Sequence, residues 1–186
     1  MKSVAVFCGS SPGRNGIYLK AAQAVGMAVA GSGLTLIYGG AKVGLMTALA
    51  DSALSRGARV IGVMPRFLIE RGVAHEGLSR LIQVDTMHQR KAKIMELADG
   101  FIALPGGFGT QEELFEMLTL AQLQQHSKPV AILNVNGFYD PFLAFQQKML
   151  NEGFVKSAHK ELLLVDSDIN LLLEKMNHYR APDVPK

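Results

Sequence analysis

Residues 101–113 read FIALPGGFGTQEE. The apolar run from Phe101 to Leu104 predicts a buried strand, and the apolar spacing from Glu112 to Gln124 predicts a helix. The glycine-rich stretch between them is therefore predicted to be a turn. Glycines let the main chain approach an anion closely, and the free N–H groups and positive dipole end of a helix attract one. This stretch indicates a phosphate site.

Predicted strands and helices alternate along the rest of the chain. The strands are predicted at Val4–Cys8, Leu34–Tyr38, Val60–Met64, Leu81–Val84, Phe101–Leu104, Val130–Leu133 and Leu162–Val165. The helices are predicted at Ile17–Ala30, Leu45–Ser55, Met87–Leu97, Glu112–Gln124, Phe142–Leu150 and Ile169–Met176. Because the strands are apolar throughout, we expect a parallel sheet that helices cover on both faces.

This pattern predicts an α/β fold: a doubly wound, Rossmann-like parallel sheet in one domain over residues 1–180, with a loose tail at 181–186. Ligands of such sheets bind beyond the carboxyl ends of the strands, at the switch point. The glycine turns that follow Cys8, Tyr38 and Leu104 are all expected at that edge. The stretch Arg66–Ser79 is longer than a usual connection and is predicted to be an irregular active-site loop.

Composition excludes several classes of protein. The formal net charge is only +3 and the basic residues are dispersed, which argues against nucleic-acid and membrane partners. The single cysteine, Cys8, excludes an internal disulfide framework and a cysteine-based metal site, and is expected to be a small buried residue. No leader or run of about 18 apolar residues is present, so a cytoplasmic location is expected.

Three familiar phosphate-binding patterns do not match. The first turn, Gly9-Ser10-Ser11-Pro12-Gly13, is not the dinucleotide fingerprint, and Gly39-Gly40 stand where an acidic ribose ligand would follow the second strand. Lys42 lacks the spacing of a nucleoside-triphosphate loop, and nothing marks a pyridoxal lysine. A mononucleotide, with one phosphate for one glycine turn, fits better.

A second informative stretch is MHQRK at residues 87–91, which begins a predicted helix at the carboxyl end of a strand. Arg90 offers a planar, permanently charged group suited to a phosphate or a carboxylate, and Lys91 is a point charge beside it. Adjacent residues on a helix point about 100° apart, so both side chains need not reach one ligand.

The two motifs together, PGGxGTxxE at 105–113 and MHxRK at 87–91, resemble the LONELY GUY (LOG) family of cytokinin-activating nucleoside 5′-monophosphate phosphoribohydrolases, sometimes mislabelled lysine decarboxylases. The resemblance runs from the first strand through Gly153. It implies that Arg90 and Glu113 are the catalytic pair, that Gly107, Gly109 and Thr110 cradle the phosphate, and that Lys91, Glu112 and Thr119 line the substrate site. It also implies a homodimer. One departure is Gly72, where many members have a substrate-contacting glutamate.

The glycine turns at the same edge of the sheet supply the remaining candidate ligand contacts. These are Gly9, Ser10, Gly39, Gly40, Gly106 and Phe108. No metal is required for the expected chemistry, the histidines lack ligand spacing, and no cofactor is expected.

The residues also suit the implied chemistry. Hydrolysis of an N-glycosidic bond passes through an oxocarbenium-like ribosyl cation, which a carboxylate can stabilise while it orients or deprotonates water. Glu113 is predicted in that role, with Arg90 keeping it ionised, and the products would be a free base and ribose 5-phosphate.

Other interpretations of the same residues stay open at this stage. Thr110 and Glu113 also fit a capping box in the first helical turn. The fold suits a non-catalytic carrier of a nucleotide or molybdopterin-type cofactor as well, which would retain its ligand and release no base. An NAD(P)-dependent oxidoreductase is disfavoured by the missing fingerprint.

Overall fold

The computed structural model describes residues 1–182. The strands are β1 (Ser3–Phe7), β2 (Thr35–Tyr38), β3 (Val60–Pro65), β4 (Arg80–Val84), β5 (Phe101–Ala103), β6 (Val130–Leu133) and β7 (Leu163–Asp166). The helices are α1 (Ile17–Gly31), α2 (Gly44–Ser55), α3 (Arg66–Glu70), α4 (Met87–Leu97), α5 (Phe108–Gln122), α6 (Asp140–Asn151) and α7 (Ile169–His178). Of the loose tail predicted at 181–186, residues 183–186 lie outside the described part.

These strands form one seven-stranded sheet in the order β4-β3-β2-β1-β5-β6-β7, and every pairing is parallel. The chain builds outward from β1 to β4 on one side and then returns to place β5 against the other side of β1. The doubly wound, Rossmann-like prediction is confirmed. The switch point lies between β1 and β5, where Val6 pairs with Ile102.

Alternate residues of the strands supply two separate cores, as the two-residue period of a strand requires. On one face, Val4, Leu36 and Ile102 pack with buried residues of α1, α2 and α7. On the other face, Ala5 and Ile37 pack with buried residues of α4 and α5. Arg90 and Glu113 belong to the helices of this second face.

The start of α5 differs from the prediction. The helix begins at Phe108 and not at Glu112, because Gly107 takes the N-cap position and the next residues already form the first turn. Glycine is a poor helix former, so the sequence did not predict a helix at Gly109, yet glycine is tolerated at a helix terminus. Glu112 and Glu113 therefore lie in the second turn, and the first turn contains no acidic residue.

The stretch Arg66–Ser79 is more ordered than predicted. Its first part forms the short helix α3, and Ala74 then makes an antiparallel bridge with Ala41. The bridge is flanked by hydrogen bonds from Lys42 N to Val73 O (2.8 Å) and from His75 N to Gly40 O (2.9 Å). This segment is thus held against the turn that follows β2.

No helix within residues 1–182 is long and apolar enough to cross a bilayer. Across the same residues, no group of three or more histidine, cysteine, aspartate or glutamate side chains is arranged to hold a metal ion.

Candidate active site

A cleft of about 240 Å³ opens at the switch point, where the sequence predicted a ligand site. Its walls come from the ends of β1 and β2 and from the first turns of α4 and α5. Cys8 and Ser10 lie on one side, and Arg90 and Glu113 lie on the other. The topology therefore brings together side chains that are far apart in the chain.

Arg90 and Glu113 form a buried ion pair in this cleft. Arg90 Nη1 donates to Glu113 Oε1 at 2.9 Å, and the two side chains are only 12% and 11% exposed. Arg90 Nε also donates to Val63 O at 3.1 Å, which anchors the guanidinium to the end of β3. Helix α4 starts where it does because Thr86 caps it, its hydroxyl accepting from Gln89 N at 3.1 Å.

Burial sets the ionisation of this pair. Desolvation raises the pKa of Glu113, while the charge and hydrogen bond of Arg90 act in the opposite direction. A buried carboxyl that is ion-paired in a cleft is a candidate for proton transfer. Burial also raises the pKa of the Cys8 thiol, and the nearby charge of Glu113 adds to this, so Cys8 lines the cleft as a neutral thiol.

The glycine turn lines the same cleft as the pair and presents main-chain N–H groups. The first hydrogen bond of α5 runs from Gln111 N to Gly107 O at 3.1 Å, so the N–H groups of Phe108, Gly109 and Thr110 have no acceptor within the helix. A Cβ added at Gly107 or Gly109 would meet nothing within 4 Å. The turn thus leaves open space beside free donors, which suits an anion.

Thr110 does not form the capping box that the sequence allowed. It lies inside the first turn, is buried, and its side chain packs against Gly106, where an added Cβ would come within 2.1 Å of Thr110 Oγ1. No side chain caps α5, since Gly107 holds the N-cap position. The capping-box interpretation of Glu113 is therefore wrong, because its carboxylate bonds to Arg90.

Lys91 points away from Arg90, as expected of adjacent helical residues. Its Nζ donates to Glu112 Oε1 and lies 3.2 Å from Glu116 Oε2 in a less well-aligned contact. The bond to Glu112 is the main reason that the pKa of Lys91 is raised. Glu112 lines the cleft as predicted, whereas Lys91 does not line it and is engaged by these two carboxylates.

The other predicted glycines divide into two groups. Gly39 lines the cleft and is needed for Arg90, because a Cβ there would lie 2.1 Å from Arg90 Nη2. Gly40, at φ +80°, instead packs against the backbone of Gly62 and does not line the cleft. Gly9 and Gly106 border a neighbouring cavity of about 250 Å³, and Ser10 and Gly107 line both this cavity and the cleft.

Thr119 lies apart from these residues. It is exposed on α5, about 9 Å along the helix axis from Glu113 at 1.5 Å per residue, and does not line the cleft of this chain. The 66–79 stretch does not line the cleft either: Glu70 and Glu76 are exposed, and Gly72 has a φ of +72° with open space around it.

The sequence analysis missed cleft residues whose types carry no chemical signal. Phe7, Met46 and Met87 contribute apolar wall. It also missed Tyr139, whose buried hydroxyl donates to Leu104 O at 2.7 Å behind the glycine turn. Tyr139 lies 35 residues along the chain from that carbonyl, so no local pattern could have found the contact.

Comparison with known proteins identifies the family of the chain. A family model described as "Possible lysine decarboxylase" matches residues 46–176. A cytokinin riboside 5′-monophosphate phosphoribohydrolase of Rhodococcoides fascians is 49% identical over 169 residues, 90% of this chain and 85% of the relative. The enzyme of the same name, LOG, of Oryza sativa subsp. japonica is 42% identical over 96% of this chain and 74% of its own length.

Solved structures share the fold at lower identity. The molybdenum cofactor binding protein of Rippkaea orientalis gives a TM-score of 0.70 at 22% identity, covering 95% of this chain and 96% of that one. The molybdenum cofactor carrier protein of Chlamydomonas reinhardtii gives 0.67 at 20% identity, covering 94% and 100%. At such identities these proteins bear on the fold alone. The family model and the curated relatives decide the family: the chain belongs to the LONELY GUY family of cytokinin riboside 5′-monophosphate phosphoribohydrolases.

Proposed function

We propose that the protein hydrolyses the N-glycosidic bond of nucleoside 5′-monophosphates, cytokinin riboside 5′-monophosphates or AMP, to give a free base and ribose 5-phosphate. The observation that carries the proposal is the buried Arg90–Glu113 pair, placed one helical turn beyond a cradle of free N–H groups. A site built only to hold an anion gains nothing from an added carboxylate. The names of the curated relatives support the same activity.

The cradle holds the substrate by its phosphate. The N–H groups of Phe108, Gly109 and Thr110 donate to the phosphate oxygens, and the positive end of the α5 dipole favours the anion. Glu113 follows Thr110 by three residues, which is about 4.5 Å along the helix axis at 1.5 Å per residue. This is the scale of the separation between the 5′-phosphate and the anomeric carbon of ribose, so binding the phosphate places that carbon beside the carboxylate.

Glu113 then acts at the anomeric carbon. As the bond from C1′ to the base breaks, its electron pair leaves with the base and positive charge develops on the ribose. The carboxylate stabilises that charge and takes a proton from the attacking water, whose oxygen bonds to C1′. Arg90 fixes the position of the carboxylate and opposes its protonation. The proton that the attacking water loses balances the one that the departing base gains, so the products are the neutral base and ribose 5-phosphate.

A non-catalytic carrier of a nucleotide or molybdopterin-type cofactor is the alternative. The molybdenum cofactor proteins among the structural neighbours are 20–22% identical and support the fold alone. A carrier has no use for a buried carboxylate at the reacting position. The alternative predicts tight retention of the ligand and no base release.

The test is chromatography of products after incubation with AMP and with an N6-prenyl-AMP. The wild-type protein is expected to release free base, and Glu113→Gln and Arg90→Ala are expected to lose about 10²-fold or more of that activity. Glu96→Gln is the matched control, since within residues 1–182 the ion-pair partner of this exposed glutamate on α4 is Lys93 alone. Unchanged turnover in either cleft variant contradicts the roles, and no base release by the wild type contradicts the activity.

We further propose that two chains associate through the exposed face of α5. That face carries the half-exposed side chains of Phe115 and Leu123 beside Thr119, a position outside the cleft of its own chain. A second copy covering this face would bury both apolar side chains and place Thr119 at the interface. Sedimentation equilibrium tests it: Leu123→Glu is expected to shift the mass to that of one chain, and a wild-type monomer contradicts it. A cytoplasmic location stays a prediction.

A further inference from the structure

The hydroxyl of Tyr139 holds the start of the phosphate cradle from behind. Tyr139 is buried, and its Oη donates to Leu104 O at 2.7 Å, at the last residue before Pro105. The ring is fixed by edge contacts with neighbouring aromatic rings, including Phe142 at 6.0 Å. The main chain is fixed too, because Tyr139 N donates to Asn134 Oδ1 at 2.8 Å. The hydroxyl therefore has a rigid support.

The next two carbonyls, those of Pro105 and Gly106, also have donors. Gly9 N, just after β1, donates to Pro105 O at 3.1 Å. Gln111 Nε2, on α5, donates to Gly106 O at 3.4 Å, and Gln111 lies beside Tyr139 next to the turn.

Holding these carbonyls fixes the peptide planes that lead into the cradle. Leu104 O belongs to the peptide that ends at Pro105, which has no N–H, so the Tyr139 bond fixes the plane in which the turn begins. In a planar trans peptide the C=O of one residue and the N–H of the next point in opposite directions, so holding Gly106 O toward Gln111 fixes Gly107 N–H, one residue before the free N–H groups of Phe108, Gly109 and Thr110. Glycines have the widest backbone freedom of any residue, so without these bonds the donors would sample many directions.

We propose that Tyr139 and Gln111 are positioning residues of the cradle, which act on the substrate phosphate through the carbonyls of Leu104 and Gly106. The proposal rests on the proposed function only in taking the cradle to bind a sugar phosphate. Neither side chain needs to touch the phosphate or the reacting carbon. Their removal is therefore expected to weaken phosphate binding while the Arg90–Glu113 pair is left in place.

Tyr139→Phe separates this role from packing, because phenylalanine keeps the buried ring and removes only the hydroxyl. Tyr38→Phe is the matched control: Tyr38 is equally buried, lies on the other face of the sheet, and its hydroxyl has no hydrogen-bond partner within residues 1–182. Gln111→Met is a second variant, which keeps the length of a partly exposed side chain and removes its donor. It keeps the proposal testable if the tyrosine variant does not fold.

Titration calorimetry with ribose 5-phosphate and with inorganic phosphate measures the cradle without relying on catalysis. Tyr139→Phe is expected to raise both dissociation constants about ten-fold, the loss typical of one well-placed hydrogen bond. Gln111→Met is expected to raise them about three-fold because its bond is long. In turnover, KM should rise by the same factors with kcat nearly unchanged, since the phosphate is bound equally in the ground and transition states.

Equal affinities of wild type and folded Tyr139→Phe for both ligands overturn the proposal, as do equal losses in Tyr139→Phe and Tyr38→Phe. A wild-type protein that binds neither ligand overturns it as well. A wild-type protein that binds ribose 5-phosphate but releases no base contradicts the proposed function alone, and the calorimetric comparison of variants still decides the positioning role.

Discussion

Replacing Arg90 by alanine is expected to move the acidic limb of the pH–rate profile toward neutral pH. Burial raises the pKa of Glu113, and the guanidinium 2.9 Å from its Oε1 opposes that rise. When the guanidinium is removed, the effect of burial is left without its main opposing charge. The pKa of Glu113 must then rise further, and the ionised base that the reaction needs is present only at higher pH.

The size of the shift follows from the geometry. An opposite charge within about 4–6 Å lowers the pKa of a carboxyl by about 1–3 units. Arg90 and Glu113 are largely buried, so salt screens their attraction little and the loss of the guanidinium is felt strongly. We therefore expect a rate about 100-fold lower at any pH on the acidic limb, as the middle of that general range implies.

The assay is kcat/KM for base release from AMP between about pH 4 and about pH 9, the range over which a carboxyl base gives an acidic limb. Arg90→Lys should give a smaller shift, because the charge is kept while the donation to Val63 O is lost. Arg66→Ala is the control, since Arg66 is exposed and lies 3.9 Å from Asp85. A profile for Arg90→Ala that is lower at every pH, with its limb in the wild-type position, refutes the argument.

Three further predictions concern single positions around the cleft. Gly39→Ala is expected to displace the guanidinium of Arg90 and to reduce kcat about 10²-fold. Gly31→Ala is the control: an added Cβ there meets nothing within 4 Å, so kcat should be unchanged and α1 should be stabilised by about 0.5–1 kcal/mol. Phe108→Ser should raise KM for the nucleotide, because this side chain lies beside the cradle. Since the side chain is 96% exposed, the free energy of unfolding in denaturant melts should stay within about 0.5 kcal/mol of the wild-type value. Phe154→Ser, at another exposed phenylalanine, should leave KM unchanged. Cys8 should resist iodoacetamide until the protein is denatured, because burial raises the pKa of its thiol; rapid alkylation of the native protein at neutral pH contradicts this.

The fold was predictable because its signals are local. Each strand is a short apolar run, and each turn at the edge of the sheet follows one, so the order of elements and the position of the ligand edge could be inferred before any coordinates. Arg90 and Glu113 were reached through two short motifs, each at the carboxyl end of a strand. Strand β4 lies at the edge of the sheet, but α4 returns from it across β3, β2 and β1, which brings Arg90 to Glu113 near the switch point between β1 and β5.

The errors lie where tertiary contacts override local preference. Gly107, Phe108 and Gly109 look like a turn by propensity, yet Gly107 caps α5 and the following residues are helical. Because α5 starts at Phe108, Glu113 lies beyond the first turn, at a distance from the positive end of the helix. The N–H groups of the first turn are then available to a ligand. The support by Tyr139 could not be predicted, because it joins carbonyls and side chains from separate elements.

The distribution of charge around the cleft explains why a main-chain cradle is needed at all. Arg90 is paired with Glu113, and Lys91 is engaged by Glu112 and Glu116. A free phosphate competing for either cation would have to break an ion pair and leave a carboxylate uncompensated, which is costly for the buried Glu113. In the proposed mechanism, amide donors and a helix dipole attract the anion without that cost, and the guanidinium stays with Glu113. The proposal thus assigns phosphate binding and catalysis to different chemical groups, so that the placement of the cradle amides, rather than the number of cations, sets how well the two are aligned.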